Sequence, residues 1–155
     1  MKQHFYQAKI TWTGNQGSGT SGYRDYTRDH DVEVGEKKII LASSDPAFLG
    51  NPELHNPEEL FLASLSSCHM LWFLHLCSTK GVVVVNYQDN AEGVMEESKN
   101  GSGRFKEVTL HPQVTVAEER MIEKVDSIHS KANRMCFIAN SCNFPVKHIP
   151  IVETE

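Results

Sequence analysis

Thiols are the most reactive groups this sequence offers, and it has four of them: Cys68, Cys77, Cys136 and Cys142. A cysteine attacks electrophiles as the thiolate and otherwise packs as a small, soft hydrophobe. Cys77 and Cys142 read as packing residues. Cys68 and Cys136 stand in local contexts that invite a chemical reading, Cys68 near the middle of a long apolar segment and Cys136 within a C-terminal helical one. Four cysteines in 155 residues are too sparse for a disulfide framework. The opening MKQHFYQAKITW lacks the apolar run of a signal peptide. A reducing cytoplasm is therefore the expected setting.

Other candidate chemistries fit less well. The eight histidines include no His-x3-His pair on a helix, no Cys-x2-Cys accompanies them, and His69 and His75 would face different sides of their helix. No metal site is expected. Gly17-Ser18-Gly19-Thr20-Ser21-Gly22 matches a dinucleotide-binding glycine pattern, but the strand-like YRDYTRD follows where a helix is required, so it reads as a loop and no cofactor is expected. A net charge of −5 lacks the basic footprint of a nucleic-acid binder. Leu60 to Cys77 reaches the lower limit of a membrane-spanning length, yet Ser64, Ser66, Ser67, His69 and His75 interrupt it and Glu58 and Glu59 precede it. It reads as a buried helix, with no membrane partner.

The elements that must position these residues make one α+β domain over residues 1–155. Alternation from Tyr6 to Trp12 predicts a strand, and Gly14 to Gly22 a loop or wide hairpin. Tyr23–Val34 and Lys37–Ala42 read as two more strands, and Ser43–His55 as an irregular loop. Asn56 suits an N-cap, Pro57 the first helical turn, and Glu58 and Glu59 the positive end of the dipole. The helix runs to Lys80, where Gly81 stops it. At about 36 Å it should cross the molecule, apolar on nearly every side, so more than one sheet must cover it. A strand begins at Val82–Val85, and a meander leads to Arg104–Val116. Thr115 and Glu118 suggest a capping box for a second helix with a stripe of Met121, Val125, Ile128 and Ala132. Met135–Cys142 reads as a short helix and Val146–Val152 as an edge strand interrupted by Pro150.

The run Asn56-Pro57-Glu58-Glu59-Leu60-Phe61-Leu62-Ala63, followed by Ser66-Ser67-Cys68, resembles the signature of the OsmC/Ohr family, the osmotically inducible protein C-like and organic hydroperoxide resistance proteins. Ala132 to Val146 (ANRMCFIANSCNFPV) is similar to the segment bearing that family's second cysteine, which falls at Cys136. The resemblance extends from about Trp12 to the end. Phe137 follows Cys136 where the family usually has proline, and His69 follows Cys68 where it usually has an apolar or aromatic residue. The resemblance implies an OsmC-like fold of mostly antiparallel sheets around a long central helix, an intertwined homodimer, and thiol-dependent hydroperoxide reduction in oxidative-stress defence.

It also implies roles for residues. Cys68 would be the peroxidatic cysteine and Cys136 the resolving one, with a lipoyl-type dithiol as reductant. Cys68 lies too far into its helix for the N-terminal dipole to help it ionise, and burial would oppose ionisation, so a cation must supply the activation. Arg28 is the first candidate and Arg24 the second, held by a carboxylate such as Glu58. Glu58 and Cys68 are ten residues apart, about 15 Å along one helix axis, which suggests that Glu58 acts on the partner chain's site. The competing expectation is a non-enzymatic dimer of the same fold that binds an apolar ligand or serves as a redox- or stress-related protein, its cysteines merely packing.

Overall fold

The computed structural model describes residues 2–155. It falls into two compact units, one up to Phe61 and one from Leu62 to Glu155.

In the first unit, β1 (Lys9–Trp12), β2 (His30–Glu33) and β3 (Ile40–Ala42) form an antiparallel sheet in that order. β1 and β2 are the arms of the expected wide hairpin, which continues outward through an Asn15–Tyr26 bridge and a Thr27 N–H to Gly14 O bond of 3.0 Å. A Cβ at Gly14 would sit 2.0 Å from the Thr27 carbonyl oxygen, so this close crossing requires glycine. The Gly17–Gly22 run opens no helix. All three strands are shorter than alternation predicts. Tyr23–Asp29 does not extend into β2, because Arg28 draws the Tyr23 and Tyr26 carbonyls around its guanidinium. Lys37 instead closes a turn onto Val34 O.

α1 (Pro57–Thr79) begins as expected. Asn56 Oδ1 accepts from the Glu59 N–H at 2.8 Å, and Glu59 Oε2 accepts from the Asn56 N–H at 3.2 Å, a reciprocal capping box. Gly81, at φ +68°, turns the chain out of the helix.

In the second unit six strands make two sheets, ordered β4-β7-β9 and β5-β6-β8. They are β4 (Val84–Asp89), β5 (Glu92–Glu97), β6 (Gly103–Leu110), β7 (Pro112–Val116), β8 (Val146–His148) and β9 (Ile151–Thr154). Arg104–Val116 and Val146–Val152 are each divided between the sheets. Arg104–Val116 breaks at His111, whose N–H is taken by Asp89 Oδ1 at 2.7 Å, and Pro112 then starts β7. Val146–Val152 breaks at Ile149 and Pro150, so β8 runs parallel to β6 while β9 runs parallel to β7. Pro150 lacks the N–H a continuous ladder would use.

α2 (Ile122–Met135) follows a 3-10 turn at Glu119–Met121. Thr115 caps nothing; it lies in β7, and its hydroxyl reaches Glu153 Oε1 across the ladder at 3.4 Å. The expected stripe of Met121, Val125, Ile128 and Ala132 is buried against Phe73, Leu76 and Cys77 of α1 and Val82, Val114 and Val116. Past Met135 the chain is not a helix, since Cys136 is extended (φ −67°, ψ 112°) and only Ala139–Ser141 winds again, as a 3-10 turn. The architecture is α+β.

Candidate functional site

α1 and the C-terminal end of α2 carry the two cysteines singled out above. Cys68 lies mid-helix and half-buried, while Cys136 is buried where α2 ends. The Cys68 thiol is the near neighbour of the Cys136 thiol at this junction. The Cys136 sulfur also accepts the Ala139 N–H at 3.4 Å. Burial and the Cys68 contact together push the Cys136 thiol up to about 11, so it is protonated at neutral pH. This pair can form a disulfide once one sulfur has been oxidised, with Cys136 as the protonated member. The other two cysteines are placed differently. Cys77 is buried in the main core, where desolvation pushes it up to about 11. The Cys142 thiol donates to Ile138 O at 3.2 Å and is raised by burial.

The turn bearing Cys136 folds on itself. The Asn140 N–H binds Cys136 O at 3.0 Å, and the Ser141 hydroxyl binds Phe137 O at 2.9 Å. Phe137 meets Trp72 of α1 edge to face, with centroids 5.7 Å apart at 86°. Leu71, Trp72 and His75 line a shallow, open, apolar groove on the α1 surface.

In the first unit, Arg28 lies between two tyrosine rings, 4.5 Å from the Tyr23 centroid and 4.2 Å from that of Tyr26. It donates to the carbonyls of both tyrosines at 2.7 Å and forms no ion pair among the described residues. Arg28 is thus a fixed, half-buried cation, whereas Arg24 is exposed. Glu58 stands half-buried in the first turn of α1, likewise outside any ion pair among the described residues.

A feature with no shared spacing in the sequence is a histidine cluster drawn from three elements: buried His69 on α1 and His129 on α2, and half-buried His148 on β8. His69 Nε2 and His129 Nδ1 share a hydrogen bond of 2.9 Å between stacked rings, and His129 stacks on Phe73 at 3.9 Å. His148 lies 5.5 Å and 6.1 Å from the two rings, centroid to centroid. His69 Nδ1 and His129 Nε2 have no partner. Desolvation is the main reason that His69 falls to about 4 and His129 to about 3, with the neighbouring imidazoles adding to it. The cluster is therefore neutral. No group of three His, Cys, Asp or Glu side chains among the described residues is arranged to hold a metal ion.

Comparison with known proteins agrees with this architecture. Residues 50–149 match the OsmC-like protein family. An OsmC-like protein of unknown function from Vibrio cholerae is 32% identical and superposes with a TM-score of 0.85, over 96% of this chain and 100% of that one. An organic hydroperoxide resistance protein from Elizabethkingia anophelis shares the fold at 19% identity and a TM-score of 0.70, covering 99% and 100% of the two chains. The uncharacterized protein YmaD of Bacillus subtilis is 24% identical, covering 91% of this chain and 88% of its own. With its long capped helix and two-cysteine arrangement, the chain belongs to the OsmC-like family.

Proposed function

We propose that this protein is a cytoplasmic, thiol-dependent hydroperoxide reductase working as a homodimer in oxidative-stress defence. The observation that carries the proposal is the placement of the Cys136 thiol beside Cys68, where Phe137 packs on Trp72. The Cys68 thiolate attacks the peroxide O–O bond, leaving Cys68 as a sulfenic acid and releasing the alcohol, with one proton taken up. The Cys136 sulfur then attacks the sulfenic sulfur. The S–S bond forms, hydroxide leaves, and the proton lost by Cys136 makes it water. A dithiol of the lipoyl type restores both thiols by exchange.

A cation is needed beside Cys68, because the helix dipole fades within the first turn. Arg28, already desolvated and oriented by its tyrosines, is the proposed donor. Glu58 is the proposed partner, supplied by the second chain. The dimer itself is supported by α1, which buries only Leu65, His69, Phe73, Leu76 and Cys77 within the chain while Leu71 is 62% exposed. An apolar helix of this length needs further cover, and a second copy of the same helix would give it.

The test is consumption of cumene hydroperoxide in the presence of dihydrolipoamide, with intact mass after one equivalent of oxidant. Turnover by the wild type, loss in Cys68→Ser and a Cys68–Cys136 disulfide are expected. A folded wild-type dimer that neither turns over nor forms the disulfide would overturn the reading and leave an apolar-ligand binder in its place.

A further inference from the structure

We propose that Trp72 and Phe137 form an aromatic clasp that holds the Cys136 turn at bonding distance from Cys68, making both of them positioning residues for disulfide formation. This rests on the two-cysteine reading above and extends it.

Trp72 lies four residues after Cys68, one turn along the same side of α1. Phe137 directly follows Cys136. The Trp72–Phe137 contact and the thiol contact therefore lie side by side, joining the same two segments. The Trp72 ring is also met edge-on by His75, at 5.8 Å and 79°. Trp72 thus has a ring neighbour on α1 itself as well as Phe137 on the turn.

The turn needs such an attachment. The bonds at Ser141, Cys142 and Ala139 close within residues 136–142, and the Asn140 side chain donates back to Arg134 O of α2 at 3.1 Å, so they set the shape of the turn and its place on α2, and none of them reaches α1. Burial does not fix Phe137 either, because it is 65% exposed. An exposed aromatic gains little by hydrophobic burial, and the Trp72 edge contact accounts for its orientation. Disulfide closure tolerates only a narrow range of Cβ separations, around 3.5–4.5 Å. A turn free to swing from α1 would spend much of its time outside that range. Meanwhile a waiting sulfenic acid is exposed to a second peroxide, which carries it to the sulfinic acid.

The closing experiment avoids peroxide. Wild type, Trp72→Ala, Trp72→Phe, Phe137→Ala and the Trp72→Ala/Phe137→Ala double variant are equilibrated in glutathione redox buffers. The Cys68–Cys136 disulfide is then quantified by non-reducing peptide mapping. Each alanine variant is expected to lower the disulfide equilibrium constant roughly three- to tenfold, the equivalent of one aromatic pair. The double variant should fall no further than either single one, and Trp72→Phe should return most of the loss. Under excess cumene hydroperoxide the alanine variants should also accumulate more Cys68 sulfinic acid. Phe137→Ala removes an exposed side chain, so a folding defect cannot mimic its effect on the equilibrium. Wild-type constants in both single variants would overturn the clasp, as would a wild type that forms no disulfide in glutathione. A clasp effect in glutathione from a protein inert to hydroperoxide would reject the peroxidase reading alone.

Discussion

In the proposed reaction a buried, protonated thiol beside a half-buried one divides the work between two residues: one meets the oxidant and the other waits. Cys77→Ser is expected to keep most hydroperoxide turnover, because Cys77 sits in the core with its pKa near 11 and no thiol partner. Cys136→Ser should retain the first oxidation, but excess peroxide should then add two oxygens to Cys68, where the wild type loses two hydrogens; intact mass separates these outcomes. The histidine cluster sets a second expectation. Both rings are neutral in the fold, and the one shared proton leaves one ring N–H without an acceptor whichever way it points. A histidine whose folded pKa is depressed costs stability as pH falls below its unfolded value of about 6.5, until the folded ring titrates. With His69 near 4 and His129 near 3, each ring should remove about 2 kcal/mol between pH 7 and pH 5. His148, itself lowered by burial, adds in the same direction, while Asp126 opposes that shift. Urea titrations at the two pH values check this, and His129→Phe should flatten the dependence. Cys68 and Cys136 were legible in the sequence because each carries a local motif. The cluster was not, because its members come from positions 69, 129 and 148 with no shared spacing. The available signal was His129 falling between Ile128 and Ala132 on the buried stripe of α2.

Among the elements, α1 shows how far local sequence can go. Asn56, Pro57 and Glu59 write its start and Gly81 its end, and the structure uses these signals in the expected way. Asn56→Ala should lower stability by about 1 kcal/mol, since it strands the Glu59 N–H and also releases the Glu59 side chain. A denaturant midpoint shift with unchanged slope would show it. The strands were harder to read. Period-two alternation specifies which face a residue takes but not which sheet, so a chain passing from one sheet to the next keeps its pattern through the corner. Arg104–Val116 does this at His111, and Val146–Val152 at Ile149 and Pro150. Thr115-Val116-Ala117-Glu118 carries a capping-box pattern, yet the strand pairing of Thr115 with Glu153 prevails. Tertiary pairing outweighs a cap that no tertiary contact supports.

At the scale of the whole molecule, two roles for Glu58 lead to different outcomes. Along α1 it stands about 15 Å from Cys68, and no ion pair among the described residues holds it. If Glu58 merely stabilised the start of its helix it would contribute about 0.3–1 kcal/mol, and its loss would leave turnover intact. A dimer built on paired α1 helices offers another role, with Glu58 of one chain orienting the arginine that serves Cys68 of the other. Sedimentation at micromolar concentration should show the dimer, and Glu58→Ala alone should lose most activity while remaining dimeric. Co-expressing Glu58→Ala chains with Cys68→Ser chains then separates the arrangements. In a shared site, the heterodimer pairs the intact cysteine of the first chain with the intact glutamate of the second. One site in two survives, and the purified heterodimer should show about half the wild-type turnover while each parent homodimer stays at background. In a site confined to one chain, neither chain of the heterodimer has both residues, and its turnover stays at background as well.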